Sequence, residues 1–363
     1  MKNSFHFNSL FVIGWSAIQE KHSYQLNHFR SACVSFKVFV TTQTDYFQAQ
    51  KNSFPNEFFL LHKNFVLRLL QVCSFFNSSE RPTAIFLAPA GRFAVAYALL
   101  AKLYRMKIVA IEWGDLYEIH ERDFITRFFY LRIMRRADVV WFKEPYMKEL
   151  LLKNNCSKVF YIPNSVPLNS NWQAGNETKE FDFIWANRNI TTRYPELFIK
   201  SLIDLSSDRR VTCLFIGLFK SEKEIDDWLF DIGYVRLDLE RVGITFKPFG
   251  EIKDWILKSR FFVLLADHVF GNNSLLESMS AGLVPLVNRV DGIQGTVIPH
   301  ISGFLTELNN EDLKANILEM LNLKDEEYQA LSLKGRTLIE TDFGIEKWQS
   351  EVDFMLKGLR NGA

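Results

Sequence analysis

The sequence feature that most constrains the fold lies between residues 261 and 288. The apolar run FFVLLAD, residues 261–267, predicts a buried strand, and residues 283–288 predict a second one. Between them, a helix of about two turns is expected to begin at Ser274 and to end at Gly282. Strand, polar loop, short helix and strand form a βαβ unit with parallel strands. Such sheets bind ligands at the carboxyl ends of their strands.

The same alternation of buried strands and helices recurs along the chain. In the first half, strands are predicted over residues 10–13, 37–41, 83–88, 107–111, 137–141 and 159–162, and helices over residues 24–36, 92–105 and 124–136. In the second half, strands are predicted over residues 181–185, 211–217 and 244–246, ahead of the βαβ unit, and a helix over residues 195–205. The alternation is typical of doubly wound parallel sheets.

The length of the chain indicates more than one domain. A chain of 363 residues exceeds what one hydrophobic core usually serves, and the polar, turn-rich segment 167–180 predicts a linker. We therefore expect an α/β fold with two doubly wound, Rossmann-like domains facing each other across a cleft. The first would span residues 1–166 and the second residues 181–345. A helix at about 346–363 is expected to cross back to the first domain.

Composition excludes several classes of protein. A hydrophobic content of 48% with 23% charged residues is typical of a globular chain. No segment approaches the roughly 18 apolar residues of a membrane span, and four scattered cysteines favour a reducing compartment. Neither half shows GxGxxG after its first strand, which disfavours a dinucleotide cofactor. We therefore expect a cytoplasmic protein with no cofactor, no metal and no nucleic-acid partner.

Charge is distributed unevenly along the chain. Residues 1–170 carry 21 Lys and Arg against 12 Asp and Glu, whereas the remainder carries 22 against 30. Within the basic half, residues 126–136 place four arginines among apolar side chains at helical spacing. This pattern predicts either an interfacial helix on an anionic membrane or an ordinary amphipathic helix packed on the core. An anionic surface, such as the inner face of the plasma membrane, is therefore a candidate partner.

Charged residues follow two strands of the second half, where a ligand is expected. Arg188 and Arg193 follow the strand at residues 181–185, and Glu277 lies one turn into the helix of the βαβ unit. Two guanidiniums beside a helix N-terminus can hold a diphosphate, and the carboxylate can accept hydrogen bonds from ligand hydroxyls. The alternatives are that both arginines are solvated and that Ser274 and Glu277 form a capping box without a ligand.

Several segments together resemble family 4 glycosyltransferases, which have the GT-B fold. The segments that are similar to motifs of that family are 137–140, 161–166, 181–193, 271–282, 291–293, 302–305 and 343–348. The resemblance covers about residues 137–350. It implies that Arg188 and Arg193 bind the donor diphosphate, together with the helix N–H groups at Ser274 and Leu275. It also implies that Glu277 holds the donor ribose.

The resemblance also implies contacts to the donor base and sugar. Phe249 and Gly250 would border the base, and Gly14 would let the first domain approach the sugar phosphate closely. Asn273 would contact the donor sugar or base. The family usually has an acidic residue at the position of Val269. Asp267 or His268 is therefore expected to take its place.

A second departure from the family lies in the first domain. Trp113 stands where a histidine is common in the family, with Glu112 and Asp115 beside it. Either carboxylate is a candidate for a base or for a contact to an acceptor hydroxyl. The alternative for Asp115 is that it caps the following helix.

These patterns predict transfer of a sugar from a nucleotide diphosphate to an acceptor hydroxyl. The resemblance implies retention at the anomeric carbon, with a glycan or lipid-linked acceptor in cell-envelope polysaccharide or glycolipid synthesis. Two alternatives stay open: a nucleotide-sugar epimerase of the same fold, and a non-catalytic subunit that binds the donor. No metal is expected, because two arginines and a helix dipole can neutralise the leaving diphosphate.

Overall fold

A computed structural model of the chain shows two compact units. The structure describes residues 7–15, 18, 22–79, 83–90, 93–112, 114, 116, 119, 122–166, 179–207, 209–250, 252–269 and 271–361. The first unit comprises residues 1–163 and 348–363, and the second comprises residues 164–347.

A seven-stranded parallel sheet forms the centre of the first unit. Its strands are β1 (Phe7–Trp15), β2 (Cys33–Val40), β3 (Phe58–Leu60), β4 (Thr83–Leu87), β5 (Lys107–Glu112), β6 (Val139–Phe142) and β7 (Val159–Tyr161). They lie in the order β3-β2-β1-β4-β5-β6-β7. The winding direction therefore reverses between β1 and β4.

Helices cover both faces of this sheet, as its apolar strands require. The described helices are α1 (Ser23–Ser31), α2 (Asp45–Ser53), α3 (Phe65–Asn77), α4 (Ala94–Leu103), α5 (Phe124–Arg136) and α6 (Met147–Lys153). Apolar side chains of α1 and α2 pack on one face, together with Trp348 and other residues of the C-terminal helix. Side chains of α3, α4 and α5 pack on the other face.

The second unit repeats this winding with a six-stranded parallel sheet. Its strands are β8 (Phe181–Ala186), β9 (Cys213–Ile216), β10 (Ile244–Lys247), β11 (Ser259–Leu264), β12 (Val284–Asn288) and β13 (Phe304–Thr306). They lie in the order β10-β9-β8-β11-β12-β13, so the direction reverses between β8 and β11. The described helices are α7 (Pro195–Ser206), α8 (Glu222–Asp231), α9 (Arg236–Arg241), α10 (Lys253–Leu257), α11 (Asn273–Ser280), α12 (Asn310–Leu321) and α13 (Asp325–Asp342). The C-terminal helix α14 (Ile345–Asn361) begins in this unit and belongs to the first unit from residue 348 onward.

The predicted class, an α/β fold with two doubly wound domains, is confirmed. The first unit ends three residues before the predicted 166, because Val166 pairs with Gly344 inside the second unit. The predicted helix over residues 24–36 is wrong at its end, where β2 begins at Cys33 and pairs with β1. Most of the predicted linker, residues 167–178, lies outside the described residues.

The four cysteines are free thiols, and all but Cys73 are buried. Burial raises the pKa of the Cys33 thiol to about 12. Within the described residues, none of the helices combines the length and apolar character needed to cross a bilayer.

Candidate functional site

The predicted ligand-binding loops lie at the topological switch point of the second sheet. β8 and β11 are neighbours at the place where the winding reverses. Connections leave these two strands in opposite directions, which opens a crevice at their carboxyl ends. One side of this crevice is the segment 187–194 after β8, and the other is the segment 265–272 between β11 and α11.

Backbone and side-chain hydrogen bonds join the two segments. Arg193 and Ala266 form an isolated antiparallel bridge, and the Asp267 N–H donates to the Thr192 carbonyl over 3.2 Å. The Tyr194 hydroxyl donates to the Asp267 carboxylate. Residues separated widely in sequence are therefore held in one local arrangement.

Two asparagines fix the start of α11. The Asn272 Oδ1 accepts from the Leu275 N–H over 2.9 Å, and its Nδ2 donates to Asn187 Oδ1 over 3.1 Å. Asn187 is buried directly after β8. One side chain thus caps the helix and ties it to the opposite segment.

Two further asparagines hold the segment between β11 and α11. Asn288 is buried at the end of β12 and pairs with both the N–H and the carbonyl of Ala266, over 2.8 and 2.9 Å. The Asn164 Nδ2 donates to the Gly271 carbonyl over 2.7 Å. The sequence patterns predicted no role for the side chains of Asn164, Asn187 and Asn288. The feature of the sequence that could have indicated these roles is the position of each asparagine at or shortly after the end of a strand.

The capping-box interpretation is wrong, because the cap is Asn272 and the helix begins at Asn273 rather than at Ser274. In a capping box the glutamate would be the third helical residue, which is Leu275 here. Glu277 is the fifth and is half-buried. Since the Leu275 N–H already donates to Asn272, the first-turn N–H groups left for a ligand are those of Asn273 and Ser274.

The two predicted diphosphate-binding arginines differ in their surroundings. Arg188 is exposed, and within the described part of the chain its guanidinium makes no hydrogen bond or ion pair. Arg193 is half-buried and donates from Nη1 to the His268 carbonyl over 3.1 Å. Burial lowers the pKa of Arg193, and the nearby Asp267 carboxylate partly offsets that effect. Arg188 is therefore fully available to an anion, whereas Arg193 is partly committed to the segment after β11.

Val269 is packed in the core of the second unit. Its side chain is buried, and its N–H donates to the Asp291 carbonyl over 2.9 Å. A Cβ on Gly292 would lie 1.6 Å from the Val269 carbonyl oxygen, so this close approach requires glycine. Asp267 is exposed and His268 is half-buried. The two residues predicted to substitute for an acidic residue at position 269 therefore reach the surface, whereas Val269 does not.

The predicted contacts to the base and sugar lie at the same edge of the sheet. Phe249 follows β10 and is 61% exposed, with its N–H donating to the Phe219 carbonyl over 2.7 Å. Gly250, beside it, is also exposed. Asn273 opens α11, and its Oδ1 is buried without a hydrogen-bond partner among the described residues. An exposed ring and an unpaired amide oxygen can stack on and bond to a ligand.

Comparison with known proteins identifies the fold. No family model and no curated protein matches the sequence. The solved structure of HepE from Anabaena, in complex with UDP-glucose, has a TM-score of 0.76 at 13% identity and covers 97% of this chain and 100% of that one. The fold is that of the GT-B glycosyltransferases.

Two further structures support this GT-B assignment. A glycosyltransferase from Rickettsia africae gives a TM-score of 0.79 at 12% identity, covering 98% of this chain and 99% of that one. Sucrose-phosphate synthase from Thermosynechococcus elongatus gives 0.70 at 13% identity, with coverage of 98% and 99%. At such identities the likeness shows the fold, and membership of family 4 stays a prediction.

In this chain with the GT-B fold, two of the predicted residues of the first unit lie at or next to a strand end. Gly14 lies in β1, one residue before its carboxyl end. Glu112 ends β5 and is fully buried, with Oε1 accepting from the N–H groups of Gly114 and Leu116 over 2.7 and 2.9 Å. These contacts give Glu112 a part in shaping the turn after β5. Asp115 lies outside the described residues.

A metal centre was not expected for this chain. Among the described residues, no three His, Cys, Asp or Glu side chains are grouped so that they could hold a metal ion. The expectation of a metal-independent reaction stays a prediction.

Proposed function

We propose that this chain transfers a sugar from a nucleotide diphosphate donor to an acceptor hydroxyl. The observation that carries the proposal is the crevice between β8 and β11, which has Arg188 and Arg193 on the segment after β8 and the first turn of α11 after β11, with Asn187 bonded to Asn272 between them. Cationic side chains and free N–H groups at a switch point favour a diphosphate. The likeness to HepE, which was solved with UDP-glucose and with UDP, supports a UDP-sugar as the first donor to test.

The proposal extends to roles and context that follow from the sequence resemblance. Glu277 would bind the ribose hydroxyls, and Phe249 and Gly250 would border the base. Asp267, His268 and Asn273 would face the sugar or base. Transfer of a hexosyl group would proceed with retention, and the acceptor would be a glycan or lipid carrier of cell-envelope synthesis. The chain would act in the cytoplasm or at the inner face of the plasma membrane.

The proposal predicts donor binding and turnover by the purified chain without added metal. Calorimetry with UDP, GDP and ADP, followed by assays of the matching nucleotide sugars, should find one nucleotide that binds and whose sugar is transferred or hydrolysed. EDTA should change its affinity by less than about twofold, because guanidiniums and helix N–H groups neutralise the diphosphate.

The alternatives give different results in the same assay. Change of the sugar on the nucleotide, without hydrolysis or transfer, would indicate an epimerase. Binding without any reaction, even with glycan and lipid acceptors, would indicate a donor-binding subunit. Failure of all three nucleotides to bind would contradict the proposal.

We also propose an anionic membrane as a partner of the first unit. Helices α3, α4 and α5 lie side by side on one face of the sheet and together contain five exposed Lys or Arg and no Asp or Glu. Many of their apolar side chains are exposed, among them Val66, Leu70, Leu99, Leu103, Phe124 and Ile125. We call this face the α3–α5 surface.

Helix α5 has the properties of both sequence-based alternatives. Its later residues Tyr130, Ile133 and Met134 are buried. Residues 124–129 at its start are all exposed, and Phe124 is the most exposed of their apolar side chains at 79%. Basic groups attract anionic lipids with about 1 kcal/mol each, and the exposed apolar side chains would insert among the headgroups.

Replacement of Phe124 tests the α3–α5 surface. Phe124→Glu should abolish flotation with anionic vesicles, because it adds a negative charge at the most exposed apolar position of α5. Phe230→Glu is the matched control, since Phe230 on α8 of the second unit is also 79% exposed. Flotation of wild-type protein should fall at high salt and be weak with neutral vesicles. Equal flotation of both variants would contradict this part of the proposal.

A further inference from the structure

Helix α3 has an inverted distribution of side chains. Its exposed positions include Val66 and Leu70, whereas Arg68 is only 7% exposed. The Arg68 Nε donates to the His62 carbonyl over 2.8 Å, and its guanidinium lies 4.5 Å from the centre of the Phe93 ring. Within the described part of the chain, no carboxylate pairs with it. A buried charge without a counter-ion is costly, so this arginine requires an explanation.

Arg30, in the same unit, differs from Arg68 because a described carboxylate pairs with it. Arg30 also lies over a phenylalanine ring, that of Phe54 at 3.9 Å, but its Nε donates to the Glu57 carboxylate over 2.7 Å. Holding the loop after β3 does not need a charge either. The neutral Gln71 makes two hydrogen bonds there, one to Leu60 at the end of β3 and one to His62 in the loop. Neither packing nor loop anchoring explains a positive charge at Arg68.

A second buried polar group lies beside Arg68. Tyr97 is 3% exposed, and its hydroxyl has no well-formed hydrogen bond among the described residues. Burial raises the pKa of the Tyr97 hydroxyl, and the neighbouring Arg68 guanidinium partly offsets this. Arg68 and Tyr97 are the fourth residues of α3 and α4. Because side chains of a helix lean towards its N-terminus, both lean towards the carboxyl edge of the sheet.

The carboxyl edge of the first sheet is a position where ligands of doubly wound folds commonly bind. Helix α4 follows β4, beside the reversal between β1 and β4, as α11 follows β11 in the second unit. No described side chain caps the start of α4, and its first turn contains no acidic residue. The start of α3 lies close by, since the rings of Phe65 and Phe93 stack at 5.0 Å. First-turn N–H groups, Arg68 and the Tyr97 hydroxyl therefore offer hydrogen-bond donors at one position.

We infer that Arg68, Tyr97 and the first turn of α4 bind a phosphate or diphosphate group of the acceptor. That the bound group belongs to the acceptor rests on the proposed function, whereas the anion site itself rests on residues of the first unit alone. A phosphate group supplies the missing counter-charge and accepts a fork of hydrogen bonds from a guanidinium. The acceptor class is then a phosphorylated compound, either a lipid diphosphate or a soluble phosphate ester.

Titration with inorganic pyrophosphate tests the site. In wild-type protein, calorimetry should detect pyrophosphate binding that persists when UDP is saturating. Arg68→Gln should weaken this binding by about tenfold or more, and Tyr97→Phe by about threefold, because a charged donor contributes more than a neutral one. Arg30→Gln is the matched control and should leave pyrophosphate affinity unchanged. UDP affinity should be the same in all variants.

Several results would overturn the assignment. Wild-type protein that binds no pyrophosphate in the presence of UDP, or equal binding by Arg68→Gln, would each remove it. If Arg68→Gln lowers the melting temperature, Tyr97→Phe decides, because it keeps the ring and removes only the hydroxyl. If UDP does not bind at all, the proposed donor site fails, and pyrophosphate binding by Arg68→Gln still tests the anion site.

Competition distinguishes the two sources of phosphate. Vesicles of phosphatidylcholine with a polyprenyl diphosphate should displace pyrophosphate from wild-type protein if the acceptor is lipid-linked, whereas phosphatidylserine vesicles should not. Displacement by glucose 6-phosphate would indicate a soluble acceptor. Displacement by neither would contradict a phosphorylated acceptor.

Discussion

Arg188→Ala should weaken UDP binding by about 10- to 150-fold and leave the melting temperature unchanged. The affinity falls because a hydrogen bond to a charged group contributes about 1.5 to 3 kcal/mol. Stability should not change, because the Arg188 guanidinium is exposed and bonds to nothing in the described part of the chain. Calorimetry with UDP and thermal unfolding of the unliganded protein measure the two effects.

The controls separate the diphosphate from the rest of the nucleotide. Uridine, which has no phosphate, should bind Arg188→Ala as it binds wild-type protein. Arg241→Ala, which removes another exposed arginine of the second unit, should leave UDP affinity unchanged. Arg193→Ala should weaken UDP binding and also lower the melting temperature, because it removes the contact to His268. An equal loss for uridine and UDP would show that Arg188 does not contact the diphosphate.

The parts of the fold that the sequence predicts are those set by local patterns. The run at residues 261–266 is apolar on both sides, as a central parallel strand must be, and β11 occupies residues 259–264, ending three residues before the predicted end at 267. Gly282 ends α11 with a φ of +87°, a conformation that favours glycine, so the end of this helix was predictable. Arg188, Arg193 and Glu277 could be predicted to lie at the carboxyl edge of the sheet because they follow recognisable strands, and their roles stay predictions.

The start of α11 could not be predicted from local pattern. Asn272, Asn273 and Ser274 are three consecutive residues that all make good caps. The structure selects Asn272, whose side chain also bonds to Asn187, 85 residues earlier in the chain. A contact between such distant residues is absent from any local pattern, and the same holds for Asn164 with Gly271.

The α3–α5 surface shows a different limit of sequence reasoning. Helix α3 is apolar nearly all round, so its periodicity does not indicate which face is buried. The usual expectation is that arginine faces solvent and leucine the core, and α3 reverses it at Arg68 and Leu70. Only the packing of α3 against α4 and the sheet reveals this reversal.

The second large effect is expected for Glu277, whose replacement by glutamine should weaken UDP binding by about tenfold or more. A capping glutamate would tolerate this change, because glutamine also has a side-chain acceptor, but the cap of α11 is Asn272. A carboxylate that accepts from two ribose hydroxyls binds them more strongly than a neutral amide does. Calorimetry with UDP and with 2′,3′-dideoxy-UDP measures the effect, because the analogue lacks those hydroxyls and should bind both proteins equally.

Two control variants separate ligand binding from helix capping. Glu327 is a capping glutamate at the start of α13, where its carboxylate accepts from the Lys324 N–H over 2.9 Å, so Glu327→Gln should leave UDP affinity unchanged. Asn272→Ala removes the cap of α11 and should lower stability by about 0.5 to 2 kcal/mol. Glu277→Gln, in contrast, should nearly preserve the melting temperature. If it binds UDP normally, or loses affinity for the dideoxy analogue equally, Glu277 is not the ribose ligand and the donor site must be assigned to other residues.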